Sequence, residues 1–303
     1  AVAPEGRITP GCAGIWSDDR AARFAPVVSF LKTHGAVPGI QIAHAGRKAA
    51  ANRPWEGDDH MKPDDPRTWQ PIGPSANAFG ANLPRVPQAM TRDDIARVRG
   101  DFVAAAKRAR DVGFEWLEVH FAHGYLGQSF FSPLANKRTD EYGGSFENRA
   151  RFLLETFSAV REVWPQNLPL TVRLGISDFQ EGSQPIEESI ELVRRFKALG
   201  LDLIDVSVGF NTPDVSGVPW GPGFMAPFAE RVRREAEIPA AVSWFITEAA
   251  QAEAILRDGQ ADLIFLGQIM LDDPHWPYHA AKALGVPNAK WTLPAPYAHW
   301  IRT

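Results

Sequence analysis

The segment His120-Phe-Ala-His123-Gly-Tyr125-Leu gathers two imidazoles and a phenol within six residues. Imidazoles three positions apart serve as metal ligands, as paired N–H donors that polarise a carbonyl or nitro oxygen, or as strand caps bonded to backbone. No nearby Glu or Asp completes an evident ligand set, which leaves a metal-dependent hydrolase, stopped by chelators, as the outlying reading. Tyr125 has a reference pKa of about 10, is protonated at neutral pH, and suits a general acid.

These residues need elements to hold them. Apolar periodicity switches between helix and strand along most of the chain. Asp19 to Thr33 reads as a helix stopped by Gly35, and Val37 to Ile42 as a strand. The stretch from Arg47 to Met90 has no sustained period and is too long for an ordinary connection. Thr91 with Asp94 resembles a capping box opening a helix that ends at Gly113. Strands follow at Phe114–His120, Leu170–Leu174, Leu201–Val208, Ala240–Ser243 and Asp262–Leu266. Between and after them come helices at Glu147–Val163, Pro185–Leu199, Met225–Glu237, Thr247–Asp258 and His275–Leu284.

Such alternation predicts an α/β protein with a parallel sheet, a TIM (β/α)8 barrel formed by residues 1–303 as one domain. In a barrel the loops after the strands build the active site, which puts His120, His123 and Tyr125 at the catalytic end. A doubly wound open sheet needs a glycine-rich phosphate turn after an early strand, and none is present. Six predicted strands fall short of eight, so the first one or two βα units are expected to lie outside this sequence.

Composition narrows the partners. The 303 residues carry a net charge of −4 with both signs interspersed, so no basic stripe is available for nucleic acid. Apolar runs such as Ala261 to Leu266 are too short to span a bilayer, and no signal-peptide pattern opens the sequence. The single Cys12 forms no internal disulfide. A soluble cytoplasmic setting is the default expectation.

His120-Phe-Ala-His-Gly-Tyr-Leu, then Phe131-Ser-Pro-Leu-Ala-Asn136-Lys-Arg138-Thr-Asp140 and Tyr142-Gly-Gly-Ser-Phe-Glu-Asn148-Arg149, resembles the signature of the Old Yellow Enzyme family. Gln41-Ile-Ala-His44-Ala-Gly-Arg47 is a second matching segment, and Leu293-Pro-Ala-Pro-Tyr-Ala-His-Trp300 is similar to the end of the xenobiotic reductase A-like subgroup. The resemblance implies an FMN-dependent ene-reductase that passes hydride from NADPH through the flavin to activated alkenes or nitro compounds. On that reading His120 and His123 hold the substrate oxygen and Tyr125 protonates the α-carbon. Gln41 and Arg173 face the pyrimidine end of the flavin, although an interior ion pair is the other role open to Arg173. Trp244 lines the substrate pocket. Trp300 either reaches the site of a neighbouring copy, implying a homodimer or higher oligomer, or packs as a C-terminal anchor.

The sequence departs from this pattern at the phosphate end. Barrels of this type hold a phosphate with the loops after their last two strands. Here those loops read Ser243-Trp244-Phe245-Ile246-Thr247, without glycine, and Leu266-Gly267-Gln268, with Gln where Arg is expected. Trp244, Phe245, Gly267 and Gln268 are therefore the candidate contacts at that end. A barrel remnant deficient in flavin, acting as a binding scaffold, is the alternative function.

Overall fold

The computed structural model describes residues 1–301, and its contacts fall into two compact units, Ala1–Val218 and a second beginning at Pro219. In the first unit the expected opening helix is two: α1 (Asp18–Ala22) and α2 (Ala25–Thr33). Pro26 sits in the first turn of α2, where its missing N–H costs nothing but where a continuing helix would lose a hydrogen bond. Strand β1 is Gly39–Ile42. The irregular stretch that follows contains only short turns and a two-residue parallel ladder of β2 (Ile72–Gly73) with β3 (Gln88–Ala89).

Helix α3 (Arg92–Val112) begins at a complete capping box. The Thr91 hydroxyl accepts from the Asp94 N–H, the Asp94 carboxylate accepts from the Thr91 N–H, and Gly113 ends the helix at φ 100°. After β4 (Trp116–Phe121) comes α4 (Leu126–Phe131), a short helix that the period of the sequence does not reveal because every residue in it is buried. Then follow α5 (Phe146–Val163), β5 (Leu170–Gly175), α6 (Ile186–Ala198) and β6 (Leu203–Ser207).

The strands of this unit pair in parallel in the order β1-β4-β5-β6. Side chains alternate between two faces. One face carries Leu117, Val119, Phe121, Val172, Leu174, Ile204 and Val206, all fully buried. Helices cover it: Phe102 of α3 meets Phe121 at 6.0 Å, and Phe196 of α6 meets Phe121 at 6.3 Å and Phe157 of α5 at 5.1 Å. Each such side chain contributes about 1.5–3 kcal/mol by leaving water, so this face holds the unit together. The other face is polar.

In the second unit, α7 (Ala226–Ala236), β7 (Ala240–Val242), α8 (Ala249–Arg257) and β8 (Leu263–Ile264) repeat the helix–strand order, with β7 parallel to β8. Asp262 fastens this arrangement. Its carboxylate accepts from the Ala240 N–H at 2.9 Å and from Arg233 Nε at 2.7 Å. Three further helices follow among the described residues, α9 (Gln268–Asp272), α10 (Trp276–Ala283) and α11 (Ala295–Ala298). No helix among the described residues is long and apolar enough to cross a membrane.

Candidate active site

The polar face of the first unit is built from every second residue of its strands: Gln41 on β1, Glu118 and His120 on β4, Thr171 and Arg173 on β5, Asp205 and Ser207 on β6. Register places Gln41 beside Glu118, Glu118 beside Thr171, and Arg173 between His120 and Asp205. Buried polar groups cost free energy unless paired, and the buried Glu118 has a partner on each oxygen. Gln41 Nε2 donates to Glu118 Oε1 at 2.7 Å, and Thr171 Oγ1 donates to Glu118 Oε2 at 3.1 Å. Arg173 Nε lies 3.1 Å from Asp205 Oδ2. Burial pushes both carboxyl groups up from their ordinary range, Asp205 strongly, while the Arg173 guanidinium pulls each back down. Arg173 thus contacts Asp205 on the same face as the histidines.

His120 is buried, and its Nδ1 accepts the Ala122 backbone N–H at 3.1 Å. Burial, with Arg173 and Lys48 nearby, lowers its pKa to about 3. The ring is therefore neutral at pH 7 with its proton on Nε2, a donor with a fixed tautomer. The chain then turns sharply. His123 adopts φ 59°, which side chains other than glycine rarely do, and Gly124 φ 67°. Glycine is required at 124, since a Cβ there would lie 2.2 Å from the Phe210 carbonyl oxygen.

This turn folds three rings together. His120 stands 4.8 Å from His123 and 5.1 Å from Tyr125, edge to face, and His123 stands 6.2 Å from Tyr125. His123 Nε2 is 2.8 Å from Ser207 Oγ. Burial first, then the proximity of His120, Arg173 and Lys48, holds His123 well below the ordinary histidine pKa. Burial pushes Tyr125 up to about 12, so its phenol keeps its proton.

Lys48 braces the turn. Its Nζ donates to the carbonyls of His123 and Phe210, each at 2.8 Å, and lies 4.1 Å from the Phe79 ring centroid. Burial lowers its pKa to about 7, and neighbouring Arg47 adds to the shift. The sequence reading passed over Lys48, Glu118, Asp205 and Ser207. A signal existed for three of them: Glu118 stands two residues before His120, and Asp205 two before Ser207, as polar residues inside apolar strands. Lys48 carried none beyond its place after Arg47.

Gln41, His120, His123, Tyr125 and Arg173 are therefore brought onto one polar face and the loop above it. The other candidates lie in the second unit. Trp244 and Phe245 follow β7 and join Trp220 and Phe224 in a cluster of rings with centroids 5.3–6.4 Å apart. Gly267 and Gln268 are exposed at the start of α9. Trp300 is 80% exposed and touches the His299 ring. Among the described residues no three His, Cys, Asp or Glu side chains converge as a metal site.

The strands and the loop after β4 thus present an amide, a guanidinium, two imidazoles and a phenol from a parallel α/β sheet. The donor set of Gln41 and Arg173 fits the acceptor-rich pyrimidine edge of a flavin. Residues 1–286 match the model of the NADH:flavin oxidoreductase / NADH oxidase family, and the chain belongs to that family. It is an NAD(P)H-dependent FMN oxidoreductase, with FMN and NADPH as cofactors, and the Old Yellow Enzyme kinship inferred from the motifs stands. The chain is 45% identical over 285 residues to the NADPH dehydrogenase of Geobacillus thermodenitrificans (strain NG80-2), spanning 94% of this chain and 78% of that one. Among solved structures, morphinone reductase in complex with tetrahydroNAD matches with TM-score 0.74 and 28% identity, over 93% of this chain and 76% of that one. A complex of 2-naphthoyl-CoA reductase matches with TM-score 0.81 and 26% identity, over 95% of this chain but 44% of that one, so the chain spans less than half of that enzyme. The expected barrel class is the fold of these neighbours.

Proposed function

We propose that the protein is an ene-reductase acting on alkenes conjugated to a carbonyl or nitro group. The observation that carries this reading is the bond from the Ala122 N–H to His120 Nδ1, because it commits Nε2 to donating. A neutral N–H donor polarises a substrate oxygen without surrendering its proton, and in a water-poor site such donors contribute several kcal/mol to the transition state. His123 is the second group at that oxygen. FMN, when bound, supplies the hydride relay from NADPH.

Polarisation draws electron density from the alkene toward the oxygen and leaves the β-carbon electrophilic. Once hydride has reached that carbon, the α-carbon takes a proton, and Tyr125 holds one at every pH below about 12. The phenol then regains a proton from solvent, so the balance is NADPH, one proton and the alkene giving NADP⁺ and the saturated product. Gln41 and Arg173 hold the pyrimidine edge of the flavin, where the cation favours the electron-rich form.

Purified protein mixed with FMN and NADPH tests the reading. NADPH consumption should depend on an added enone or maleimide and yield the saturated product. A protein that takes up no flavin and consumes no NADPH with any such alkene would end it.

A further inference from the structure

In barrels of this class the loops after the last two strands take the phosphate. In the second unit these are the segments 243–248 and 265–273, following β7 and β8. Neither contains Lys, Arg or His, and together they carry Glu248, Asp272 and Asp273. A phosphate there would meet no cation carried by either segment, and the charges these segments do carry are three carboxylates.

The first loop keeps the backbone of a glycine turn without the glycine. Trp244 has φ 81° and Phe245 φ 51°, two successive left-handed residues that carry full side chains. Such conformations cost about 1 kcal/mol or more each and persist only where the surroundings hold them. The surroundings here are rings. Trp244 lies 6.1 Å from both Trp220 and Phe224, and Phe245 lies 5.9 Å from Trp220. Trp220 and Phe245 remain 46% and 45% exposed. The face of an aromatic ring is electrically negative, which suits a planar apolar group and repels an anion. At the second loop the exposed Gln268 offers an uncharged amide in place of a guanidinium fork.

We propose that these two loops do not recognise a phosphate, and that the chain binds flavin by its ring system, taking riboflavin about as readily as FMN. The inference rests on the flavin reading above and widens the cofactor from FMN to flavins as such, with the terminal phosphate contributing little. Trp244 and Gln268 are the residues that set this preference.

Flavin fluorescence quenching, titrated separately with riboflavin and FMN, tests it. Uncharged donors alone separate the two ligands by less than about tenfold, and a charge-assisted fork adds about ten- to a hundredfold. The expected ratio of the two Kd values is therefore below about tenfold in the unaltered chain, and FMN affinity should not weaken with added salt. Gln268→Arg, alone and with Trp244→Gly, should raise FMN affinity at least about tenfold and leave riboflavin unmoved. An unaltered chain that prefers FMN by more than about tenfold, or a Gln268→Arg variant with an unchanged ratio, overturns the inference and leaves the reductase reading intact. Binding of neither flavin overturns both.

Discussion

Lys48 Nζ lies 2.8 Å from the carbonyl oxygen of His123, and with an equal bond to Phe210 it ties the loop after β4 to the loop after β6. The position matters because His123 and Gly124 form a left-handed turn between β4 and α4, and Tyr125 follows it as the extended residue that opens α4.

Lys48→Met keeps the length of the side chain and removes its bonds to two half-buried carbonyls, each at a cost of about 1–3 kcal/mol. The turn should loosen, so that kcat for alkene reduction falls about tenfold or more while the protein stays folded. Steady-state kinetics beside a thermal melt reads both, and unchanged kcat would remove Lys48 from any role at the site.

Tyr125→Phe removes the phenolic proton and little volume. Reduction of a simple enone should slow by about 10²–10⁴-fold, the usual worth of a positioned general acid. The rate at which NADPH bleaches the flavin colour should hardly move. Equal loss in both steps would take Tyr125 out of the proton-donor role.

Asp205→Ala leaves Arg173 without the carboxylate 3.1 Å from its Nε. Breaking a buried pair on one side costs about 3–5 kcal/mol, whereas replacing both partners by apolar groups is often close to neutral. The single variant should therefore unfold at clearly lower urea than the double variant Asp205→Ala/Arg173→Leu. A double variant as weak as the sum of its singles would mean the two groups act independently.

Two buried imidazoles make the fold sensitive to acid. Burial lowers His44 to about 4 and His120 to about 3, against an ordinary value of 6.5. Both therefore bind a proton in the unfolded chain before they do in the folded one. Their contribution is complete above about pH 6.5 and is lost as pH falls toward 4, at about 1.4 kcal/mol per pH unit for each group. His123, also held below its ordinary value, adds to the slope in the same direction; denaturation midpoints between pH 7 and 4 should follow it, and His44→Phe should remove only the share of one imidazole.

The sequence by itself determined the order of elements and the chemistry of the loop. Thr91 with Asp94 and Gly113 marked both ends of α3 because caps and left-handed stops are local, written in a few residues around one hydrogen bond. The strands were legible for a related reason: sheets covered by helices need apolar runs. His120, His123 and Tyr125 could be read because they fall within six consecutive positions.

Where local signals compete, the sequence alone did not suffice. Pro26 split a helix that the apolar pattern ran together, and α4 hid because a fully buried helix shows no period. Only the tertiary structure decided which groups complete the site. Ser207 lies 84 positions from His123, Lys48 lies 75 away, and Asp205 reaches Arg173 across two strands. Such pairings depend on strand register, which fixes the neighbours of a side chain across a sheet and is set by the packing of the whole apolar face. The tautomer of His120 was settled by the conformation of the chain just after β4, which aims the Ala122 N–H at one ring nitrogen.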